Sequence, residues 1–451
     1  MNLIKDKNYD INYLAKVIMI DAFTQHPNPK CTKLKLAKVD AYSIIVGLDE
    51  KPGLKIYFPV LSRINPNLLA YANLYQDSEL NNDVNKKGFF SSNGRVKAIK
   101  LQQYPSEGFL MDYKVLQDFV ESVTAKKLPL VESGTEFDSV QEGEKTFWIC
   151  KKYVNNVPKE VTVKHNKKQK LVKKFNRVID SQFRFHYDTV LIRNSPYSIN
   201  KDDIIHLSSK WHGTSGISAY VLCKHQLTWK EKIAKFLTGY EFNKYEHLYA
   251  SRKVIKNKTI ANSGFYGAED GREAADKILQ PIMTKGMTIY YELVGFAKNG
   301  TYWQKDYDYG CTRPIDGYVC GHNFKILVYR ITLTNIDGIV HEFSTQDVQN
   351  YVHKWNIEGV IPVRQFYYGK ARDLYPELET SENWSLDFIN KLADDKRFDM
   401  ELDSPDCLAK VPAEGIVIKK ESSMPQAWKL KSFRFLGIEQ QRADAGEIDN
   451  E

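Results

Sequence analysis

The chain has 451 residues, 27% of them charged, 42% apolar and 12% aromatic. That is ample for a large core and for two or three domains of roughly 100–200 residues each. It excludes the disordered, collagen-like and coiled-coil classes, because no low-complexity or heptad pattern is sustained. The 64 Lys+Arg against 56 Asp+Glu leave a formal charge of +8. Such an excess suits a polyanionic partner but is modest for this length, so charge alone does not define a nucleic-acid protein.

The longest apolar runs, residues 14–20 and 41–47, fall far short of the roughly 20 residues that a bilayer demands, and no membrane partner is expected. The first residues carry no signal-peptide pattern, so a cytoplasmic location is expected. Six cysteines are scattered without a C-x-x-C pair, which indicates neither a zinc ribbon nor a disulfide framework.

In chain order, residues 14–20, 41–47, 55–60 and 94–101 read as short strands separated by turns. That pattern predicts a small N-terminal β-barrel of the oligonucleotide-binding (OB-like) kind within residues 1–158, although such short strands suit a structural β-module equally well. Residues 159–177 hold eight basic side chains, Lys167 and Lys168 among them, against one acid, Glu160. This is either a solvated linker or a phosphate-backbone contact, and the domain boundary is drawn at 159–180. From 181 to 451, apolar strands (204–207, 287–291, 324–333, 415–418, 427–430) alternate with helical stretches (227–240, 269–278, 386–394). The expected class is α+β on antiparallel sheet.

Lys210-Trp211-His212-Gly213 follows the apolar strand, which places Lys210 where a strand gives way to a loop. Such a lysine becomes a nucleophile when burial and neighbouring cations lower its pKa, and Gly213 lets the backbone approach a ligand. Alone, this four-residue pattern is equally a surface lysine in a turn. Ser251-Arg252 pairs a hydroxyl with a guanidinium that grips phosphate bidentately. Glu292 and Gly295 end a further strand, and Glu414-Gly415-Ile416-Val417-Ile418-Lys419 sets a carboxylate and a lysine at the ends of another. Lys429 and Lys431, two residues apart, share one face of a strand and repel unless an anion sits beside them.

In this order and spacing the set resembles the covalent nucleotidyltransferase superfamily, which includes ATP-dependent polynucleotide ligases and mRNA capping enzymes. K-x-H-G-T-S over residues 210–215 is most similar to the Deinococcus-type RNA ligases that seal nicks with a 3′-OH RNA end. A competing start at Glu358-Gly359-Val360-Ile361 lacks the later lysine and the paired lysines. The resemblance implies an antiparallel-sheet nucleotidyltransferase (ATP-grasp-like ligase) domain behind the OB-like barrel, with ATP and Mg²⁺ or Mn²⁺ as cofactors. It implies a lysyl-AMP on Lys210, and RNA or an RNA-containing duplex with a 3′-OH/5′-phosphate nick as partner of a monomeric enzyme. It further implies metal binding by Glu414, with Glu292 holding the ribose hydroxyls or sharing the metal site, an α-phosphate clamp from Lys429 and Lys431, and nucleotide contacts from His212, Gly213, Arg252, Lys419 and a stacking Phe324, with Tyr329 as the other aromatic. Arg184 and His186, like Lys167 and Lys168, are expected to touch nucleic acid. A DNA ligase, a GTP-using capping-type enzyme or a non-catalytic relative are the alternatives. Deletion of residues 1–150 is expected to abolish sealing and spare the nucleotide step.

Overall fold

Short, largely buried strands build the N-terminal half. In the computed structural model, residues 1–154, 177–225, 227–239, 241–256, 271–422 and 426–445 are described. The first half contains β1 (Ala15–Ile20), β2 (Leu34–Val39), β3 (Tyr42–Gly47), β4 (Gly53–Phe58), β5 (Ala98–Leu101), β6 (Tyr104–Glu107), β7 (Phe109–Asp112) and α1 (Tyr113–Thr124). β7, β4, β1 and the short strand Glu136–Phe137 form one antiparallel sheet, while β2 and β3 join Thr24–Gln25 in another. Ile18, Ile20, Ala37, Val39, Ile44, Tyr57 and Leu110 form the core between these two sheets. The expected barrel is not shown. Among the described residues the sheets pack face to face, but no strand pairing joins their edges into a closed cylinder. α1 covers the other face of the first sheet with Tyr113, Leu116, Phe119 and Val120, spaced for one side of a helix.

The second half holds β8 (Val190–Leu191), β9 (Ile204–Lys210), β10 (Thr214–Lys224), α2 (Trp229–Thr238), β11 (Asn243–Ala250), α3 (Gly271–Leu279), β12 (Met287–Gly295), β13 (Phe324–Thr334), β14 (Val340–Glu342), α4 (Thr345–Trp355), β15 (Gln365–Lys370), α5 (Trp384–Asp394), β16 (Gly415–Lys420), β17 (Gln426–Lys431) and α6 (Phe433–Asp444). A five-stranded sheet runs in the order β8-β17-β16-β9-β15. A seven-stranded sheet runs Ile255–Lys256, β11, β10, β12, β13, β14, with Val360–Pro362 beside β13.

Strand parity decides which side chains face which way. Ile205, Leu207, Ile416, Ile418, Trp428 and Leu430 point from the five-stranded sheet onto α5. Ile289, Tyr291, Leu293, Ile326 and Val328 point from the larger sheet onto α3 and α4. The intervening residues, His206, Ser208, Lys210, Val417, Lys419 and Lys429 on one side and Glu292 and Arg330 on the other, line a cleft between the sheets. No described helix is long and apolar enough to cross a membrane. The basic stretch lies outside the described residues except for Arg177, which forms a bidentate pair with Glu246 at 2.6 and 2.7 Å.

Candidate active site

Lys210 is the last residue of β9, and Trp211-His212-Gly213 then carries the chain into β10 and so from one sheet to the other. Register sets the neighbours: Lys210 lies opposite Gly415, which lies opposite Lys431, while His206 faces Lys419 and Val417 faces Lys429. Gly415 adopts φ +138°, and a Cβ there would sit 2.0 Å from the Leu430 carbonyl oxygen, so only glycine brings these strands together.

Lys210 Nζ is 2.7 Å from Glu414 Oε1, and the Glu414 side chain is 1% exposed. Burial pushes the Glu414 carboxyl up, but Lys210, His212 and Lys431 together hold it below the ordinary range. The competing start behaves differently: the Glu358 side chain is 73% exposed, with His322 67% exposed beside it at 3.4 Å.

The cleft wall adds His186, Tyr187 and Thr189 before β8, together with Ser215, Arg252, Glu292, Tyr329, Arg330, Lys419 and Lys429. Arg252 Nε donates to Asp188 Oδ1 at 2.9 Å. Burial raises the Asp188 pKa, and Arg252 more than offsets it, so the group stays ionised. Arg330 makes two 2.7 Å bonds to Glu342. Lys419 is 6% exposed. Burial lowers its pKa, against the opposing pull of Glu342 3.8 Å away. His206, opposite it, is pushed down to about 4 by burial and by the Lys419 charge.

Several expected residues lie elsewhere. Phe324 is 1% exposed and stacks on Tyr318 at 4.6 Å within the α3/α4 core. Its parity points it away from the cleft, and Tyr329 is the aromatic of that strand at the wall. Gly213 does not face a ligand: a Cβ there would lie 2.4 Å from the Leu293 carbonyl oxygen and 2.7 Å from Glu292 Cγ. The close approach of the backbone to β12 therefore requires it. His212 is buried behind Lys210, edge-on to Tyr307 and Phe435 at 5.0 and 4.9 Å. Lys431 does not join Lys429 at the cleft. It turns to Glu439, 2.5 Å away, with Glu414 at 3.9 Å, and borders a second cavity at the seam with the N-terminal half. Arg184 is exposed and away from the cleft, its carbonyl accepting from the Tyr290 hydroxyl at 3.0 Å. Lys167 and Lys168 lie outside the described residues.

The site also contains residues that motif spacing passed over, namely Thr189, His206, Ser208, Trp211 and Arg330. A usable signal existed for some of them. In Ile205-His206-Leu207-Ser208-Ser209-Lys210 the polar residues at 206, 208 and 210 share the parity of the lysine.

No family model and no curated protein matches the chain. Among solved structures it is similar to the RNA ligase of Naegleria gruberi in several variant forms. One with ATP and Mn is 12% identical, with a TM-score of 0.50, covering 96% of this chain and 100% of that one. Forms with AMP and Mn and again with ATP and Mn are 14% and 13% identical, each with a TM-score of 0.50 over 95% of this chain and 100% of the other. The likeness spans both halves and shows the fold: a mixed α/β architecture on antiparallel sheets, similar to that of an RNA ligase.

Proposed function

We propose that this chain is an ATP-dependent RNA ligase that works through a lysyl-AMP on Lys210 and joins a 5′-phosphate end to a 3′-OH RNA end, as in nick sealing by the Deinococcus-type ligases. The carrying observation is the Lys210–Glu414 pair, 2.7 Å apart, at a cleft whose walls hold Arg252, Lys419 and Lys429. A polyanion entering that cleft meets cations on both sheets, and the reactive amine lies among them. The N. gruberi ligase, solved with ATP and Mn, supports ATP with Mg²⁺ or Mn²⁺ as the cofactors here.

In this reading the Lys210 Nζ lone pair attacks the α-phosphorus of ATP. An N–P bond forms, the P–O bond to pyrophosphate breaks, and pyrophosphate leaves with the electron pair. Glu414 Oε1, already at hydrogen-bond distance, is placed to accept the departing Nζ proton. The AMP then passes to a 5′-phosphate, whose phosphorus is attacked by a 3′-hydroxyl as AMP departs. Lys429, Lys419 and Arg252 stabilise charge developing on the phosphate oxygens. Tyr329 supplies the face for the base. The N-terminal sheets would dock the polynucleotide.

The site fits a divalent ion shared with substrate. Among the described residues no group of three or more His, Cys, Asp or Glu could hold a metal alone, and Glu292 is the carboxylate at the cleft wall. Mg²⁺ commonly takes one or two carboxylates and completes its shell with phosphate and water. Glu292 would hold it, with Glu414 at the lysine end, and the ion would supply neutralisation of phosphate charge.

The test is covalent labelling. Protein with Mg²⁺ and α-labelled ATP is expected to carry label after denaturation, GTP to give none, and Lys210→Met to lose the signal. Absence of label in folded protein that intact mass shows not to be already adenylylated would overturn the reading. Tyr329→Ala is expected to raise the KM for ATP roughly 5- to 100-fold, whereas Phe324→Leu should lower the urea midpoint and leave KM unchanged.

A further inference from the structure

Arg442, on α6, reaches the Lys210 site from behind, 230 residues along the chain from His212. Its Nη1 lies 2.8 Å from His212 Nε2, and its Nη2 donates to the Lys305 carbonyl at 2.6 Å. A guanidinium only donates, so the ring nitrogen facing it must accept. Neutral His212 therefore carries its proton on Nδ1, the nitrogen 3.6 Å from Glu414 Oε2. The other oxygen of that carboxylate faces Lys210 Nζ. Tyr307 and Phe435 hold the ring edge-on from two sides, and the His212 N–H donates to the Tyr309 hydroxyl at 2.6 Å, which fixes its backbone.

From this geometry we infer that Arg442 is a positioning residue: by selecting the Nδ1–H tautomer of His212 it orients Glu414 toward Lys210. It is not among the residues that line the cleft, and it acts through two intervening groups. α6 is in turn fastened to the N-terminal half. The Gln440 side chain donates to the Ala98 carbonyl at 3.0 Å and accepts from the Ala98 N–H at 2.8 Å, and Arg95 bonds the Gln440 carbonyl at 3.1 Å and Asp444 at 2.7 Å. The orienting guanidinium is thus held by contacts outside the nucleotide cleft. The inference rests on the ligase reading for its catalytic consequence, but the tautomer can be observed without it.

The experiment compares wild type, Arg442→Met and Arg442→Lys by single-turnover adenylylation with ATP and by ¹⁵N NMR of the His212 ring. The wild type is expected to show a protonated Nδ1 and a bare Nε2. Arg442→Met should lose that pattern and form the adduct roughly 10- to 100-fold more slowly, the range seen when partners that orient a ligating histidine are removed, with KM for ATP within about twofold. Arg442→Lys retains a donor and should recover part of both signals, which also shows that the fold tolerates change there. A slower Arg442→Met protein with an unchanged tautomer would overturn the inference, as would an unchanged rate. If wild type takes no label from ATP, the ligase reading falls, and the ring signals decide for or against the positioning on their own.

Discussion

Glu414→Gln protein is expected to form lysyl-AMP roughly 10²- to 10⁴-fold more slowly than wild type while still binding ATP. The amide keeps the shape of the carboxylate but cannot take a proton from Lys210 Nζ, 2.7 Å away. The same change has a stability signature. Removing one member of a buried pair costs about 3–5 kcal/mol, and the lower end applies here because the Lys210 side chain is 15% exposed at the cleft. The folded Glu414 pKa lies below the ordinary carboxylate value, so its contribution is complete above the unfolded pKa and is lost as pH falls through the folded one. Urea midpoints of wild type and variant should therefore differ at neutral pH and draw together in acid. A rate equal to wild type would remove Glu414 from the proton path, and a midpoint gap independent of pH would show that the pair contributes nothing through its charge.

The second large effect lies at the seam between the halves. Arg193 Nη1 is 2.5 Å from Glu107 Oε1, and the Glu107 side chain is 7% exposed. Beside them the Tyr42 hydroxyl donates to Asn194 Oδ1 at 2.7 Å, and the Leu191 N–H donates to Asn12 Oδ1 at 2.8 Å. Arg193→Met strands the Glu107 carboxylate and is expected to lower unfolding stability by about 3–5 kcal/mol. Arg193→Met with Glu107→Gln should lose markedly less, because no charge is left unpaired. Equal losses in the single and double variants would mean that packing, not the ion pair, holds the seam. These contacts also revise the separability read from the sequence. Deleting residues 1–150 removes Glu107, Arg95 and Ala98 together, so the nucleotide step is expected to fall along with sealing.

What the sequence made legible was local. Short apolar runs located β9, β12, β13, β16 and β17, and Lys210 stands at a strand end. Glu358 was set aside in favour of Glu414, and the two differ as 73% against 1% side-chain exposure. What stayed hidden depends on contacts between distant segments. Phe324 and Tyr329 sit in one strand, and only the bulge between Tyr290 and Tyr291 and the packing of α3 and α4 decide which of them faces the cleft. Lys429 and Lys431 share a strand face, yet Glu439, from the following helix, draws one of them away. The closed barrel was inferred from strand count, and whether two sheets join at their edges is settled by register, which short strands with weak patterns do not encode.

α6 is the last described element of the second half, which it fastens to the first, and this order governs synthesis. As the chain leaves the ribosome, the N-terminal sheets and most of the cleft are complete before Gln440 and Arg442 emerge. A nascent or prematurely terminated product would possess Lys210 and Glu414 yet lack α6, so on the positioning proposed above its reaction with nucleotide would stay slow until α6 is made and docked.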